Sequence, residues 1–359
     1  MDIAIVGPYQ AGKSTVFDAL AAGHAQHGDA RSEHLATVKV PDERLERLAA
    51  LIKPKKVTPV ELVLHDLPTL FVKGRTASGE AAESLSRADG LILAVRAFRR
   101  ADVPHPRGDV EPGRDIEEFK SEMLLNDLGI VERRLEKLDT TVRSARPGER
   151  EAGQREQVLL QRIHKLLEGG EPLRGHLADG EEMKAIANFG LLTLKPLLIL
   201  VNLDEDDVSR TAEIEAEYRE RFSSRGTFVG AMCARLEAEL GELEPEEAAE
   251  FRREMGAAQP EAPRILALAQ EMLGLITFFT AGDTECRAWP LAVGTAALEA
   301  AGRIHTDIER GFIRAEVIRW DELLAAGGFT EAKKHGRLRS EGKQYLVQDG
   351  DVVNVLFSV

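Results

Sequence analysis

The feature that constrains this chain most stands at its beginning. Ile3-Ala4-Ile5-Val6 is an apolar run of strand length, Gly7-Pro8-Tyr9-Gln10-Ala11-Gly12-Lys13-Ser14-Thr15 follows it, and Val16-Phe17-Asp18-Ala19-Leu20 opens an amphipathic helix. A glycine, four residues and then Gly-Lys-Ser is the spacing of a phosphate-binding P-loop. Successive backbone N–H groups at a helix N-terminus form an anion-binding nest, so the order strand, loop, helix is itself informative. Gly7 and Gly12 supply backbone conformations closed to residues with a Cβ. Lys13 is then expected to reach the β and γ phosphates, and the Ser14 hydroxyl to join a Mg²⁺ shell. Gln10, Ala11 and Thr15 belong to the same expected nucleotide contact. The alternative is a chance meeting of these residues in a surface turn, which the flanking strand and helix argue against.

A P-loop needs a parallel sheet behind it, and the sequence supplies the strands. Val60 to His65 runs as a strand into Asp66, where an aspartate is expected to support the Mg²⁺ shell; a turn or helix cap is the other reading of Asp66. Leu91-Ile92-Leu93-Ala94-Val95 and Pro196 to Val201 are continuous apolar runs, as in strands covered on both faces. Phe228 to Ala234 reads as a last core strand. Two expected γ-phosphate sensors are altered. The polar stretch His24 to Glu33 holds no threonine, and Thr37 falls inside a strand-like stretch instead. Thr69 stands where the pattern Asp-x-x-Gly would put glycine, and Leu70 and Phe71 leave no glutamine to orient water.

Between these strands Asp115 to Leu138 reads as a long helix with apolar residues at three- and four-residue steps. A charged Pro/Gly-punctuated tip is expected over Arg143 to Gly153, and Glu156 to Leu167 returns, making an antiparallel helical hairpin. From Leu275 the texture changes to short strands and glycine turns, which indicates a separate small α+β domain. The expected division is therefore 1–114 and 195–274 for a nucleotide-binding domain in two parts, 115–194 for the inserted hairpin and 275–359 for the C-terminal domain.

At 359 residues the chain is long enough for two or three domains. A net charge of −14 argues against non-specific coating of nucleic acid and against DNA as a partner. The stretch Lys333 to Lys343, with five cations against one acid, is the local exception: it is either a solvated face or a contact for RNA. Cys233 and Cys286 are too few for a disulfide framework and read as small buried hydrophobes, with a redox role as the alternative. Lys195 interrupts the best apolar run, Leu191 to Leu203, so no membrane span is expected, and a cytoplasmic protein follows.

The chain resembles the Obg-like ATPases, the YchF family, over nearly its whole length. The likeness rests on Val40-Pro41-Asp42-Glu43-Arg44-Leu45, Lys53 to Pro59, Asp115-Ile116-Glu117, and above all on Phe278 to Gly282, Arg287-Ala288-Trp289, Ile304 to Asp307 and Gly311 to Ile318. The resemblance implies an α/β P-loop NTPase (Ras-like) domain with an inserted antiparallel hairpin and a C-terminal α+β TGS (β-grasp-like) domain. It further implies ATP hydrolysis with Mg²⁺, and ribosome or RNA association through the TGS domain and hairpin. GTP remains possible. Guanine-specific relatives carry Asn-Lys-x-Asp, and here the stretch is Asn202-Leu203-Asp204-Glu205. Glu205 shifts the bidentate acceptor by a methylene, Leu203 replaces the lysine stem over the base, and Asn202 is expected to meet adenine N6 and N7. Cys233 and Ala234 complete the expected base site. The family also has a histidine in a stretch similar to Val103 to Val110, which makes His105, with Lys13, the catalytic candidate; its expected role is to orient water. The altered switch positions support nucleotide binding more strongly than turnover, so a binding module with little hydrolysis is the competing expectation.

Overall fold

The computed structural model describes residues 1–21, 34–68, 80–100, 102–144, 146–177, 180–257 and 259–358. Thr69, Leu70, Phe71 and the stretch His24 to Glu33 lie outside them. The chain forms two compact units, residues 1–38 with 63–272, and residues 39–62 with 273–359.

In the first unit a six-stranded sheet runs in the order β2, β4, β1, β5, β6, β7, from β1 (Asp2–Val6), β2 (His34–Val40), β4 (Val60–Asp66), β5 (Gly90–Arg96), β6 (Leu197–Asn202) and β7 (Thr227–Met232). The pairs β4/β1, β1/β5, β5/β6 and β6/β7 are all parallel. β5 and β6 are buried at every position, which is why they read as unbroken apolar runs. β2 alternates exposed and buried from Leu35 onward and carries Thr37 on its exposed side, within a strand as its surroundings in the sequence suggest. Parallel register puts Asp66, Arg96, Asn202 and the residues after Val6 and Met232 at one edge of the sheet, since Ile5 pairs with Asp66, Arg96 with Asn202 and Asn202 with Met232. That carboxyl edge is where open parallel sheets bind ligands.

The helices that build the first unit include α1 (Lys13–Ala21), α3 (Glu80–Arg87), α4 (Pro112–Ser144) and α5 (Pro147–Glu168). α4 and α5 form the hairpin, packed through Val131, Leu138, Leu160, Ile163 and Leu167, with Arg134 bidentate on Glu156 at 2.7 and 2.9 Å. The tip expected over Arg143 to Gly153 is narrower than that, since α4 runs to Ser144 and α5 begins at Pro147. Pro147 occupies the first helical position, where its missing N–H has no intrahelical partner to lose, and Gly148 and Gly153 continue as helix. The root is fixed by buried Asp127, which accepts from Leu192 N–H, Thr193 N–H and the Thr193 hydroxyl at 2.9, 2.7 and 2.7 Å.

The second unit contains α2 (Glu43–Ile52) and a mixed sheet ordered β11, β10, β12, β8, β9, β3, with β3 (Lys56–Thr58), β8 (Leu275–Ala281), β9 (Glu285–Ala292), β10 (Phe312–Arg319), β11 (Arg339–Glu341) and β12 (Asp351–Phe357). Chain order assigns residues 39–62 to the nucleotide-binding segment, but they cluster with the C-terminal unit because β3 pairs with β9, Lys56 to Glu285 through Thr58 to Arg287. Arg44 adds to this, bound to Asp42, ion-paired with Asp349 at 2.6 Å and stacked over Phe279 at 5.2 Å. Phe278, Leu291, Ala300, Phe312, Val317 and Val353 make the core of the unit.

Candidate nucleotide site

At the carboxyl edge of the first sheet the chain after β1 folds into the loop its sequence promised. Gly7 and Gly12 hold φ of 153° and 83°. Both positions are closed to a side chain: a Cβ on Gly7 would stand 2.4 Å from the Ala94 carbonyl oxygen, and one on Gly12 2.4 Å from Asn202 Nδ2. Gln10 also takes a left-handed φ of 61°, without glycine's freedom. A non-glycine residue there is strained by about 1 kcal/mol, a pattern that concentrates at ligand sites. The strain was invisible in the sequence, which marks only the glycines.

Lys13 opens α1, and its Nζ donates to the carbonyls of Gly7 and Pro8 at 3.4 and 3.2 Å. Burial lowers its pKa, and the charge of Asp66 works the other way. The Ser14 hydroxyl donates to Asp66 Oδ2 at 2.7 Å, joining the loop to the end of β4. His34, at the start of β2, brings Nδ1 within 3.7 Å of the same oxygen. Sequence reasoning missed His34, because a position at the head of an alternating strand does not reveal which neighbour's end it meets. Ser14 and Asp66 fit a Mg²⁺ shell: both are hard oxygen donors beside a loop whose amides and lysine suit phosphate. Among the described residues no group of three His, Cys, Asp or Glu could hold a metal by itself.

On one side of this loop lies a pocket of ≈ 230 Å³ whose wall includes Thr15, Asn202, Leu203, Glu205 and Cys233, together with Phe98, Arg100 and Arg235, which the sequence did not single out. Asn202, expected to meet adenine N6 and N7, is buried here with Nδ2 donating to the Ala11 carbonyl at 3.2 Å and Oδ1 accepting from Ala234 N–H at 3.1 Å, so an adenine contact would require these bonds to open. Asn202 therefore ties the phosphate loop to the turn after β7. Leu203 shares the pocket wall while packing among Val208, Leu236 and Leu240. Asp204 caps the turn that follows, accepting from Glu205 N–H at 2.8 Å and Arg99 N–H at 2.9 Å. Glu205 itself is ion-paired with Arg235 at 3.3 Å. Cys233 is free and buried, and desolvation pushes its thiol up to about 11; Cys286 is likewise free and buried.

A second pocket, ≈ 200 Å³, is lined by Gly7, Pro8 and Tyr9 of the loop and by His105. The segment carrying His105 is stapled by buried Arg96, which donates to the carbonyls of Phe98 and Val103 at 3.1 and 2.6 Å. Both imidazole nitrogens have protein partners: Arg107 N–H donates to Nδ1 at 3.2 Å, and Nε2 lies 3.0 Å from Asp115 Oδ2. With Nδ1 accepting from Arg107 N–H, it is Nε2–H that donates a hydrogen bond to Asp115 Oδ2. A water-orienting role, as expected from sequence, requires one of these bonds to open.

In the C-terminal unit the basic stretch is partly neutralised. Lys334 pairs with Glu331 at 2.6 Å, Lys333 with Glu316 at 3.9 Å and Arg339 with Asp351 at 3.3 Å. No helix among the described residues is long and apolar enough to cross a membrane.

Comparison with known proteins agrees with this architecture. The YchF-GTPase_C family, described as a protein of unknown function (DUF933), matches residues 275–358. The "Ribosome-binding ATPase YchF" of Haemophilus ducreyi is 35% identical over 362 residues, covering 99% of this chain and 98% of that one. "Obg-like ATPase 1" of Oryza sativa subsp. japonica is 35% identical over 333 residues, 90% of this chain and 82% of that one. The solved structure of the Schizosaccharomyces pombe YchF GTPase superposes with a TM-score of 0.83 at 30% identity, covering 99% of this chain and 97% of that one.

Proposed function

Because this chain belongs to the YchF family of Obg-like ATPases, which are P-loop nucleotide-binding proteins, we propose that it is a Mg²⁺-dependent switch that binds and hydrolyses ATP in preference to GTP and acts on the ribosome. The observation that carries this reading is the convergence, at one sheet edge, of the P-loop, the Ser14–Asp66 pair and the Asn202–Glu205 stretch. The loop amides and Lys13 hold the phosphates, Lys13 turning from its loop carbonyls to the ligand. Ser14 and Asp66 are the residues that would hold Mg²⁺, which when bound supplies charge neutralisation and alignment of the phosphates. At the base, Glu205 carries its carboxylate one methylene further out than the aspartate that pairs with guanine, and Arg235 holds it aside. Phe98 gives the pocket an aromatic wall.

Hydrolysis in this scheme uses His105 to orient water once its bond to Arg107 N–H or Asp115 opens. A nucleotide-binding module with little turnover is the second reading. The observation favouring it is that both nitrogens of His105 are already engaged. Ribosome association is supported by the names of the relatives, and the C-terminal domain and the helical hairpin are the elements we assign to it, in the cytoplasm. Within the basic stretch Arg337 and Lys343 are the cations best suited to an RNA phosphate.

Calorimetric titration of ATP and GTP, with Mg²⁺ and with a chelator, tests the binding claim. We expect ATP to bind at least tenfold more tightly than GTP, and only with Mg²⁺; equal affinities, or GTP the tighter, would reject the base assignment. Co-sedimentation with ribosomes at two salt concentrations tests the partner, and no association at low salt would reject it.

A further inference from the structure

At the amino-terminal ends of β6 and β7, the sheet edge opposite the P-loop, a cavity of ≈ 460 Å³ opens at the root of the helical hairpin. Two arginines line it. Arg174 is 6% exposed, with Nη1 donating to Thr227 Oγ1 at 3.4 Å and its buried Nε without a hydrogen-bond partner. Arg225 is exposed. Their stems are accommodated reciprocally by two glycines: a Cβ on Gly175 would stand 2.8 Å from Arg225 Cγ and Cδ, and one on Gly226 3.3 Å from Arg174 Cβ. Both glycines hold positive φ, 84° and 74°, so each turn is shaped in a way a larger residue resists.

The charge around the cavity is unbalanced. Lys120 is answered by Glu117 at 3.2 Å and His176 by Glu171 at 3.6 Å. Among the described residues no carboxylate comes within ion-pair distance of Arg174 or Arg225. Asp127 is the opposing charge nearest in effect to Arg174, but its oxygens are taken by the Leu192 and Thr193 donors. Burial pushes the Arg174 guanidinium down to about 10, the direction expected of a cation that lacks a close counter-charge. Facing these cations, Met123, Leu124, Pro172 and Phe222 give the cavity an apolar wall. A concave site of a few hundred cubic ångströms, mostly apolar with a few convergent polar groups, is the usual form of a small-molecule pocket.

We propose that this cavity is a second ligand site, taking a phosphorylated small molecule of about mononucleotide size, with Arg174 and Arg225 on the phosphate and the Met123–Phe222 wall against the ring. Arginine's planar fork matches phosphate oxygens, and a buried guanidinium gains most from an anion that water cannot replace. The site stands apart from the P-loop and does not depend on the activity proposed for it.

The test is calorimetric titration of AMP into the full chain and into its Lys13→Ala, Arg225→Ala and Arg174→Gln variants. We expect one AMP site that survives Lys13→Ala, weakens at least tenfold in Arg225→Ala and is displaced by millimolar inorganic phosphate. Arg174→Gln should act alike; should it fail to fold, exposed Arg225 carries the test. No saturable binding, binding lost in Lys13→Ala but kept in Arg225→Ala, or failure of phosphate to compete would overturn the proposal. A short single-stranded RNA that displaces AMP and binds more tightly would overturn the small-molecule assignment.

Discussion

Replacing Asn202 with alanine tests whether the phosphate loop and the base pocket are one mechanical unit. The side chain makes two hydrogen bonds, from Nδ2 to the Ala11 carbonyl at 3.2 Å and to Oδ1 from Ala234 N–H at 3.1 Å, and removing it strands both backbone groups. Each unsatisfied buried group costs about 1–3 kcal/mol. Because the pocket beside them admits water, the low end applies and the total is about 2–3 kcal/mol. If half of that reappears as the work of reordering the loop around a nucleotide, ATP affinity falls roughly tenfold, since about 1.4 kcal/mol is a factor of ten. Asn202→Asp separates the two halves: it keeps an acceptor for Ala234 N–H but sets a carboxylate against the Ala11 carbonyl, so it should weaken binding more than alanine does. Urea unfolding gives the stability change and calorimetry the ATP affinity. Loss below about 0.5 kcal/mol with unchanged ATP affinity, the scale of an ordinary surface substitution, would refute the linkage.

Three further outcomes are expected. Gly7→Ala should abolish ATP binding, because its Cβ would stand 2.4 Å from the Ala94 carbonyl at a φ of 153°; wild-type affinity by calorimetry would contradict the loop geometry. Asp127→Ala should lower stability by about 3 kcal/mol in urea unfolding, as it strands the Leu192 and Thr193 donors at the hairpin root, and a change under about 1 kcal/mol would contradict the anchor. Cys233, with a thiol pushed up to about 11, should resist a thiol reagent at pH 8 until the protein unfolds, and rapid native-state labelling would contradict its burial. The sign for stability follows: the folded thiol holds its proton longer than the unfolded one, so its contribution is complete below about pH 9 and fades as pH rises towards 11.

Much of the fold was legible in the sequence because its cues are local. The β5 and β6 runs announce strands covered on both faces, the Gly7–Thr15 spacing announces the phosphate loop, and the stripe from Phe119 to Leu135 announces α4. What escaped depends on contacts between distant positions. Alternation shows which face of β2 is buried, but not that His34 comes to rest beside Asp66. The order of the chain gives no sign that residues 39–62 leave the first unit, since that follows from β3 finding β9 more than two hundred positions later. The partners of Asn202 were not legible, because a motif names the residue type at a strand end and not the backbone groups, the Ala11 carbonyl and Ala234 N–H, that its amide meets. The tip of the hairpin was misread for a different reason: Pro147, taken as a breaker, sits where a proline starts a helix.

The central claim is that the loop following β1 both holds and cleaves ATP. Single-turnover hydrolysis of ATP and of GTP, by the full chain and by its Lys13→Ala variant, tests it most directly. The expected result is ATP cleavage above background, faster than GTP cleavage and absent in the variant. Tight ATP binding without turnover would contradict the enzyme reading, and GTP cleaved faster than ATP would contradict the base assignment made at Glu205.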